Sequence, residues 1–491
     1  MIVEALLCVS LLVLLYLSLR KPPGLPPGRW GLPLVGYVPL TTRSIPQQLA
    51  DLRNKHGDIY MWRIGTQIQV FLHDHQLIKE AFTRPEFQDR VDFKGFRFMD
   101  PNKLGLLQSN GEHWHNNRRF TLRQLRDLGM GKSKLVSAVQ SQSSLLVQEF
   151  KKQAGRPAPI PNTLSLAIIN VIWHMVSGKE FLLTDPKITQ FCQLLDEALE
   201  RLNLLIVPDY MPWLYSVLPN KVIGRVFGID RTSDMRNKLY KYFIDDIEEH
   251  QRTLDPNNPR DFIDGYLMEM EGRKDDPQST LSEEDLTVLI FDLFVAGFET
   301  TTNTLIWITY YLASNPQVQR KMQAEIDQVL PLGTQATLQD RARLPYTEAV
   351  IHESLRRSSL LALGVPHMAT QNTTLGGYVI PKGTSVGCST VTVHNSCRYW
   401  DKPDHFQPER WLDENNKFTS KKEGFIPFSI GKRQCAGESL ARMELLIFTT
   451  ALFQSLNFSI PPGNTLSLEV NPGDAIVSLP IHQDLIVTIR K

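Results

Sequence analysis

The chain has 491 residues, with 53 Lys and Arg against 52 Asp and Glu and 42% hydrophobic residues; that length supplies an ample core, and the balanced charge leaves no global field to recruit nucleic acid or another acidic polymer. Five scattered cysteines, Cys8, Cys192, Cys388, Cys397 and Cys435, form no CxxC pair and no zinc spacing. This excludes a disulfide framework and points to a reducing compartment, with the first four read as small buried hydrophobes.

Residues 2–19 are apolar apart from Glu4 and small or weakly polar side chains, and Arg20-Lys21 closes the run. Eighteen helical residues span roughly 27 Å, about the hydrocarbon thickness of a bilayer. A cleaved signal carries its positive charge ahead of the apolar run, whereas here the charge follows, so residues 1–21 read as a retained anchor with the rest of the chain in the cytosol. Residues 22–39, PPGLPPGRWGLPLVGYVP, form a stiff hinge through which neither helix nor sheet continues. Residues 40–491 contain no further linker and no repeat, and read as one domain. Alternating apolar residues at 59–64 and 67–72 around Gly65-Thr66 predict a hairpin. The His73-Asp74-His75 and His113-Trp114-His115 triplets are read as solvated or packed, because no further ligands follow at metal spacing.

Trp114 and Arg118, four apart, share a helix face; taken alone the pair also suits a Trp–Arg stack on a surface helix. Arg119, Arg123 and Arg126 lie on another face, and with Lys421, Lys422 and Lys432 they suggest a basic patch. Residues 211–227, MPWLYSVLPNKVIGRVF, suit either a membrane-surface contact or a buried helix pair. Ser282 followed by Asp285 predicts a helix start, and Pro316 a stop about 33 residues and roughly 50 Å later. Its stretch at 289–296 is apolar on nearly every face, so this helix is central. Glu353 and Arg356 form ExxR on a helix opened by Pro345. Strands are expected at 377–380, 384–386 and 485–489, in a chain that is mainly α with small β-sheets.

The strongest local signal is FSIGKRQCAG at 428–437, which matches FxxGxRxCxG through Phe428, Gly431, Arg433, Cys435 and Gly437. A thiolate ligand to haem iron needs a loop that approaches the porphyrin closely, and glycine at 431 and 437 removes the Cβ atoms that would collide or forbid the turn. Arg433 is spaced to reach a haem propionate. The positive end of a helix beginning at Glu438 is expected to help keep the sulfur ionised.

With these motifs in this order, the chain resembles a cytochrome P450 along its whole length, and most of all the animal microsomal monooxygenases of family 2. The resemblance implies a single haem domain behind an N-terminal transmembrane helix at the endoplasmic reticulum, facing the cytosol. It implies haem b (iron protoporphyrin IX) on Cys435, and O2 as oxidant. Electrons would come from NADPH through NADPH-cytochrome P450 reductase docked on the basic patch, with cytochrome b5 as a second donor. Trp114, Arg118 and His367 would contact the propionates, although His367 also reads as an ordinary core or strand histidine. Glu353, Arg356 and Arg410, the last in Pro408-Glu409-Arg410-Trp411, would form a structural triad beneath the haem. Trp411 replaces a frequent phenylalanine there, which puts packing rather than chemistry in doubt. In Ala296-Gly297-Phe298-Glu299-Thr300-Thr301, the small Ala296 and Gly297 would let haem and dioxygen lie against the central helix, and Glu299 with Thr300 would deliver protons. The substrate pocket would be apolar and aromatic, lined by Phe96, Phe98, Leu106, Phe294, Ala296, Leu361, Val365 and Ile476. Asp292, also in it, would either bind a polar group of the substrate or face solvent or a neighbouring helix. The substrate class is a xenobiotic, a steroid or another lipid. Two rivals remain: a reductase-independent haem-thiolate isomerase or dehydratase of hydroperoxides, against which the intact Glu299-Thr300 pair speaks, and a non-catalytic haem- or lipid-binding protein.

Overall fold

A computed structural model of the chain describes residues 19–38, 45–93, 100, 102–128, 133–200, 205, 207–471 and 477–490. The expected anchor falls almost wholly outside them. Among the described residues no helix is long and apolar enough to cross a membrane.

The long helices that carry the site are α1 (Gly111–Asp127), α2 (Ser133–Lys152), α3 (Thr163–Ser177), α4 (Ile229–Thr253), α5 (Glu283–Ser314), α6 (Pro345–Ser358) and α7 (Glu438–Ser455). Helix α5 is the expected central helix. Ser282 caps it by accepting the Asp285 N–H at 3.1 Å, and it ends at Ser314, just before Pro316 opens another helix. It packs against α3, α4, α6 and α7 and is buried along most of its length, which is why its apolar residues cover nearly every face. Gly297 permits the close approach to α3: a Cβ there would stand 3.0 Å from Ile172 Cδ1.

The sheets are small, as expected. A six-stranded sheet has the order β1-β2-β3-β9-β6-β4, formed by β1 (Gly28–Arg29), β2 (Ile59–Ile64), β3 (Gln67–Leu72), β4 (Asp89–Arg90), β6 (His367–Met368) and β9 (Ser385–Cys388). The predicted hairpin is present, in register from Ile59 opposite Leu72 to Ile64 opposite Gln67. A three-stranded sheet joins β10 (Leu456–Ser459), β11 (Leu485–Ile489) and β5 (Pro157–Ala158), and β7 (Thr373–Leu375) pairs with β8 (Tyr378–Ile380).

The proline-rich segment is not a free hinge. Gly28 and Arg29 pair in parallel with Met61 and Trp62, Pro27 O accepts the Met61 N–H at 2.8 Å, and Arg63 lies over the Trp30 ring at 4.2 Å. Prolines are tolerated because β1 is an edge strand, where a missing donor leaves no ladder bond unmade. Gly28 is obligatory, since at φ 142° a Cβ would sit 1.9 Å from Met61 O.

Candidate haem-thiolate site

The loop before α7 is closed by its own backbone: the Cys435 N–H donates to Phe428 O at 3.0 Å and the Gln434 N–H to Gly431 O at 3.1 Å. Gly431, at φ 83°, would place a Cβ 2.0 Å from Phe82 O, so only glycine lets this turn press against the neighbouring helix His75–Thr83. Ser429 also takes a positive φ of 63°, a strained value for a side chain with a Cβ. Gly437 differs from the expectation. Its φ is −90°, and a Cβ there would meet nothing within 4 Å, so the protein itself does not demand glycine and open space adjoins the loop.

Cys435 carries exposed surface, yet burial is the main influence on its thiol and raises the pKa above the ordinary value; the Gly437 N–H, Arg118 and Arg442 pull it back. The expected helix-end effect is therefore present and outweighed, and full ionisation is left to a bound cation. Open surface among dense protein means an internal space. Ala296 gives the same sign, being exposed in the middle of the otherwise buried α5. Thr300, one turn on, donates its hydroxyl to Ala296 O at 2.8 Å. Glu299 is half-buried, and its carbonyl accepts from Asn303 at 2.9 Å.

Beside the loop stand three arginines. Arg118 donates to Gln434 O at 2.6 Å, which places the second half of the WxxxR pair directly on the cysteine loop. The guanidinium of Arg433 lies over the Trp114 ring at 3.8 Å and donates to Gln88 O at 2.8 Å and to Ser109 O at 2.8 Å. Arg90 donates to Val365 O at 2.8 Å and leaves its buried Nε without a partner. Burial, then mutual repulsion, push Arg433 down to about 8, and burial pushes Arg90 down to about 10. Among the described residues none of the three meets a carboxylate as an ion pair. Buried cations without an anion are costly, so the cluster fits a ligand that brings negative charge next to Cys435, as the two propionates of haem do. Arg90 was not identifiable from the sequence: it stands in no motif, and only the pairing of β4 with β6 sets it opposite His367. His367 stacks on Phe82 with ring centroids 3.8 Å apart and has Nδ1 2.6 Å from Phe87 O; burial, then Arg90 and Arg433, hold it neutral. It is thus a satisfied core histidine that also borders the cluster.

Several pocket assignments change. Phe294 turns away from the side of Ala296 and is fully buried among Trp173, Phe191 and Phe243, at centroid distances of 4.6, 5.3 and 5.3 Å. Gly297 serves helix packing against α3, where an added Cβ would press on Ile172. Asp292 is buried from solvent and engages a neighbouring loop. Its Oδ2 accepts the Leu106 N–H at 2.6 Å and the Leu107 N–H at 2.8 Å, and burial raises its pKa to about 8. Leu106 is thereby pinned between Asp292 and Arg433, whose guanidinium reaches Leu106 O at 3.4 Å. Leu361 pairs with Val477 in an isolated bridge, bringing two of the predicted lining segments together, and Val365 is exposed. Phe96, Phe98 and Ile476 lie outside the described residues.

The triad forms. Glu353 accepts from Arg356 Nε at 2.9 Å, Arg356 NH2 at 2.8 Å and Arg410 Nε at 3.1 Å. Trp411 adds its indole N–H to Glu353 Oε2 at 3.0 Å, so this departure from the usual phenylalanine alters the hydrogen bonding as well as the packing. The histidine triplets are solvated or packed, as read: His73 lies 2.9 Å from Tyr60 OH, Asp74 caps the following helix, His113 Nε2 lies 2.8 Å from Asp285, and His115 is exposed.

The family model described as Cytochrome P450 matches residues 26–487. The chain is 43% identical over 494 residues to Cytochrome P450 2L1 of Panulirus argus, covering 100% of each. It is 37% identical over 473 residues to Cytochrome P450 2J2 of Homo sapiens, covering 94% of this chain and 91% of that one. Against Cytochrome P450 18a1 of Drosophila melanogaster the identity is 33% over 480 residues, covering 95% and 88%. Haem and dioxygen come with the family. The cysteine loop and the arginines beside it thus lie in a chain that belongs to the cytochrome P450 family and is a haem-thiolate monooxygenase.

Proposed function

We propose that this monooxygenase inserts one atom of dioxygen into an apolar small molecule, a xenobiotic, steroid or other lipid, with electrons from NADPH delivered by NADPH-cytochrome P450 reductase or, for the second electron, cytochrome b5. The observation that carries the reading is Cys435, open to an internal space beside three arginines that meet no carboxylate among the described residues. In this reading Cys435 Sγ ligates the iron, and Arg90, Arg118 and Arg433 hold the propionates, with Trp114 and His367 shaping their surroundings. Bound haem supplies the one-electron and dioxygen chemistry. The chain's own part is to orient, exclude water and move protons. Ala296 leaves room on α5, and Leu106 and Leu361 present apolar surface to substrate. Thr300 Oγ1 and the Glu299 carboxylate hold and pass the protons that turn the second oxygen atom into water.

The membrane reading is supported by exposed Val217, Val222 and Val226 in the segment after Tyr210, and by exposed Leu32, Leu34 and Val38 in the proline-rich segment. Trp213 Nε1 donates to Leu34 O at 3.2 Å and ties the two together. With residues 1–21 as an endoplasmic reticulum anchor, both would face the bilayer and the cytosol would hold the catalytic domain.

On the reductase side, Arg119, Lys421 and Lys432 are exposed, whereas Arg123 is already paired with Glu269 at 2.6 Å. Charge reversal at Arg119 and Lys432 is expected to slow reductase-driven turnover at low salt and spare turnover driven by added hydrogen peroxide. The decisive experiment reduces the purified protein under carbon monoxide. A thiolate-type absorption that disappears in Cys435→Ser, with product formed only when NADPH and reductase are both present, is the expected result. Persistence of that absorption in the serine variant would remove the basis of the reading.

A further inference from the structure

One hydrogen-bonded chain joins the helix of the buried triad to the cysteine loop, and Arg442 stands at its centre, one turn into α7. Its Nε donates to Glu438 Oε1 at 2.9 Å, and its NH1 lies 2.6 Å from His352 Nε2. His352 directly precedes Glu353 on α6, and its Nδ1 lies 2.8 Å from the Glu348 carbonyl, an oxygen that can only accept. That contact fixes the proton on Nδ1 and leaves Nε2 with the lone pair a guanidinium requires. Burial, then the charge of Arg442, hold this imidazole's pKa well below 6.5, so the acceptor stays neutral.

The same guanidinium covers the Phe428 ring at 4.8 Å, and Phe428 O is the acceptor of the Cys435 N–H. On its other arm, Glu438 Oε2 accepts from Gln434 Nε2 at 2.6 Å, and Gln434 is the neighbour of Cys435. Arg442 therefore grips both ends of the loop, Phe428 directly and Gln434 through Glu438. Only a flat cation with donors in two directions can do this, and lysine, a point charge, lacks that fork.

We propose that Arg442, seated on His352, is a positioning residue that locks the Cys435 loop to helix α6 and sets a fixed positive charge behind the sulfur. The inference rests on the reading of Cys435 as the iron ligand. Removing that charge disfavours the added electron, so the bound haem becomes harder to reduce. Removing the fork alone loosens the loop without changing the charge.

The test uses the purified haem-loaded protein and the variants Arg442→Gln, Arg442→Lys and His352→Phe, read by deuterium exchange of peptides covering residues 428–435 and by the midpoint potential of the iron. The phenylalanine fits the aromatic surroundings of His352, whose ring lies 4.5 Å from Phe418 and 5.4 Å from Trp411 and Phe425. Arg442→Gln is expected to speed loop exchange roughly tenfold and to shift the potential negative, a tenfold change in the reduction equilibrium being about 59 mV. Arg442→Lys should keep the potential and lose the exchange protection, and His352→Phe should behave likewise. Wild-type loop exchange in Arg442→Lys and His352→Phe overturns the proposal, including when Arg442→Gln fails to retain haem. A wild-type protein without the thiolate-type carbon monoxide absorption would instead overturn the ligand assignment.

Discussion

Glu353 shows how one residue can be settled by its donors. Two arginines, the Trp411 indole and the Gln407 N–H at 3.0 Å converge on a carboxylate with no exposed surface. Removing it would strand buried charge at a cost of about 3–5 kcal/mol, so its role is structural. Trp411→Phe is a gentler probe. It keeps an aromatic ring and deletes one bond to a charged acceptor, a loss of about 1.5–3 kcal/mol. The expected outcome is a lower thermal midpoint with the haem spectrum intact, and an unchanged midpoint would show that the bond contributes nothing. Thr300 is the other informative residue. Its hydroxyl bonds back to Ala296 O, so it can turn from the helix towards the internal space without leaving a buried group unpaired there. Thr300→Ala is predicted to bind haem and substrate normally but to divert a larger share of the NADPH consumed into hydrogen peroxide. The ratio of peroxide to product, measured with reductase present, checks it.

At the scale of elements, the site is held where loops meet helices. The cysteine loop turns through Ser429 and Gly431 at positive φ and presses on Phe82 O, so its shape depends on a neighbouring helix as much as on its own sequence. Gly431→Ala adds strain of about 1–3 kcal/mol as well as a clash with backbone that cannot move aside cheaply. The prediction is a several-fold drop in the haem-to-protein ratio of the purified variant. The loop at 104–107 is pinned in a comparable way: its successive N–H groups are taken by Asp100, Asp285 and Asp292. Two of these acceptors sit two turns apart on α5, so the central helix fixes both the floor of the internal space and the loop beside it.

For the whole molecule, pH dependence follows from groups that the fold keeps uncharged. Asp292 and Glu444 have pKa values raised by burial to about 8 in each case. Between the unfolded values near 4 and these folded values the native state holds protons that the unfolded state has released, so this contribution to stability is lost as pH rises towards 8. His73 and His394, lowered to about 3 by burial, act in the opposite sense and cost stability as pH falls below about 6.5. Above that pH His73 and His394 no longer titrate, and the two acids drive a fall in stability together with His113 and His250, whose pKa values are raised beside Asp285 and Asp261. Glu444→Gln is therefore expected to flatten the fall in the urea midpoint between pH 6.5 and 8. An equally steep fall in the variant would show that Glu444 is ionised in the native protein.

Local chemistry made much of this protein readable from its sequence. The hairpin at 59–72, the ends of the central helix, the glycine at 431 and the convergence of Glu353 with Arg356 all follow from turn, capping and spacing rules that act within a few residues. What tertiary structure alone decided is which way side chains face and what they meet across long stretches of chain. Phe294 entered an aromatic cluster, Gly297 met Ile172, Asp292 took loop amides, and Arg90 joined Arg433 because β4 pairs with β6. Contacts between residues hundreds of positions apart depend on packing and burial, and no local pattern of residues encodes them.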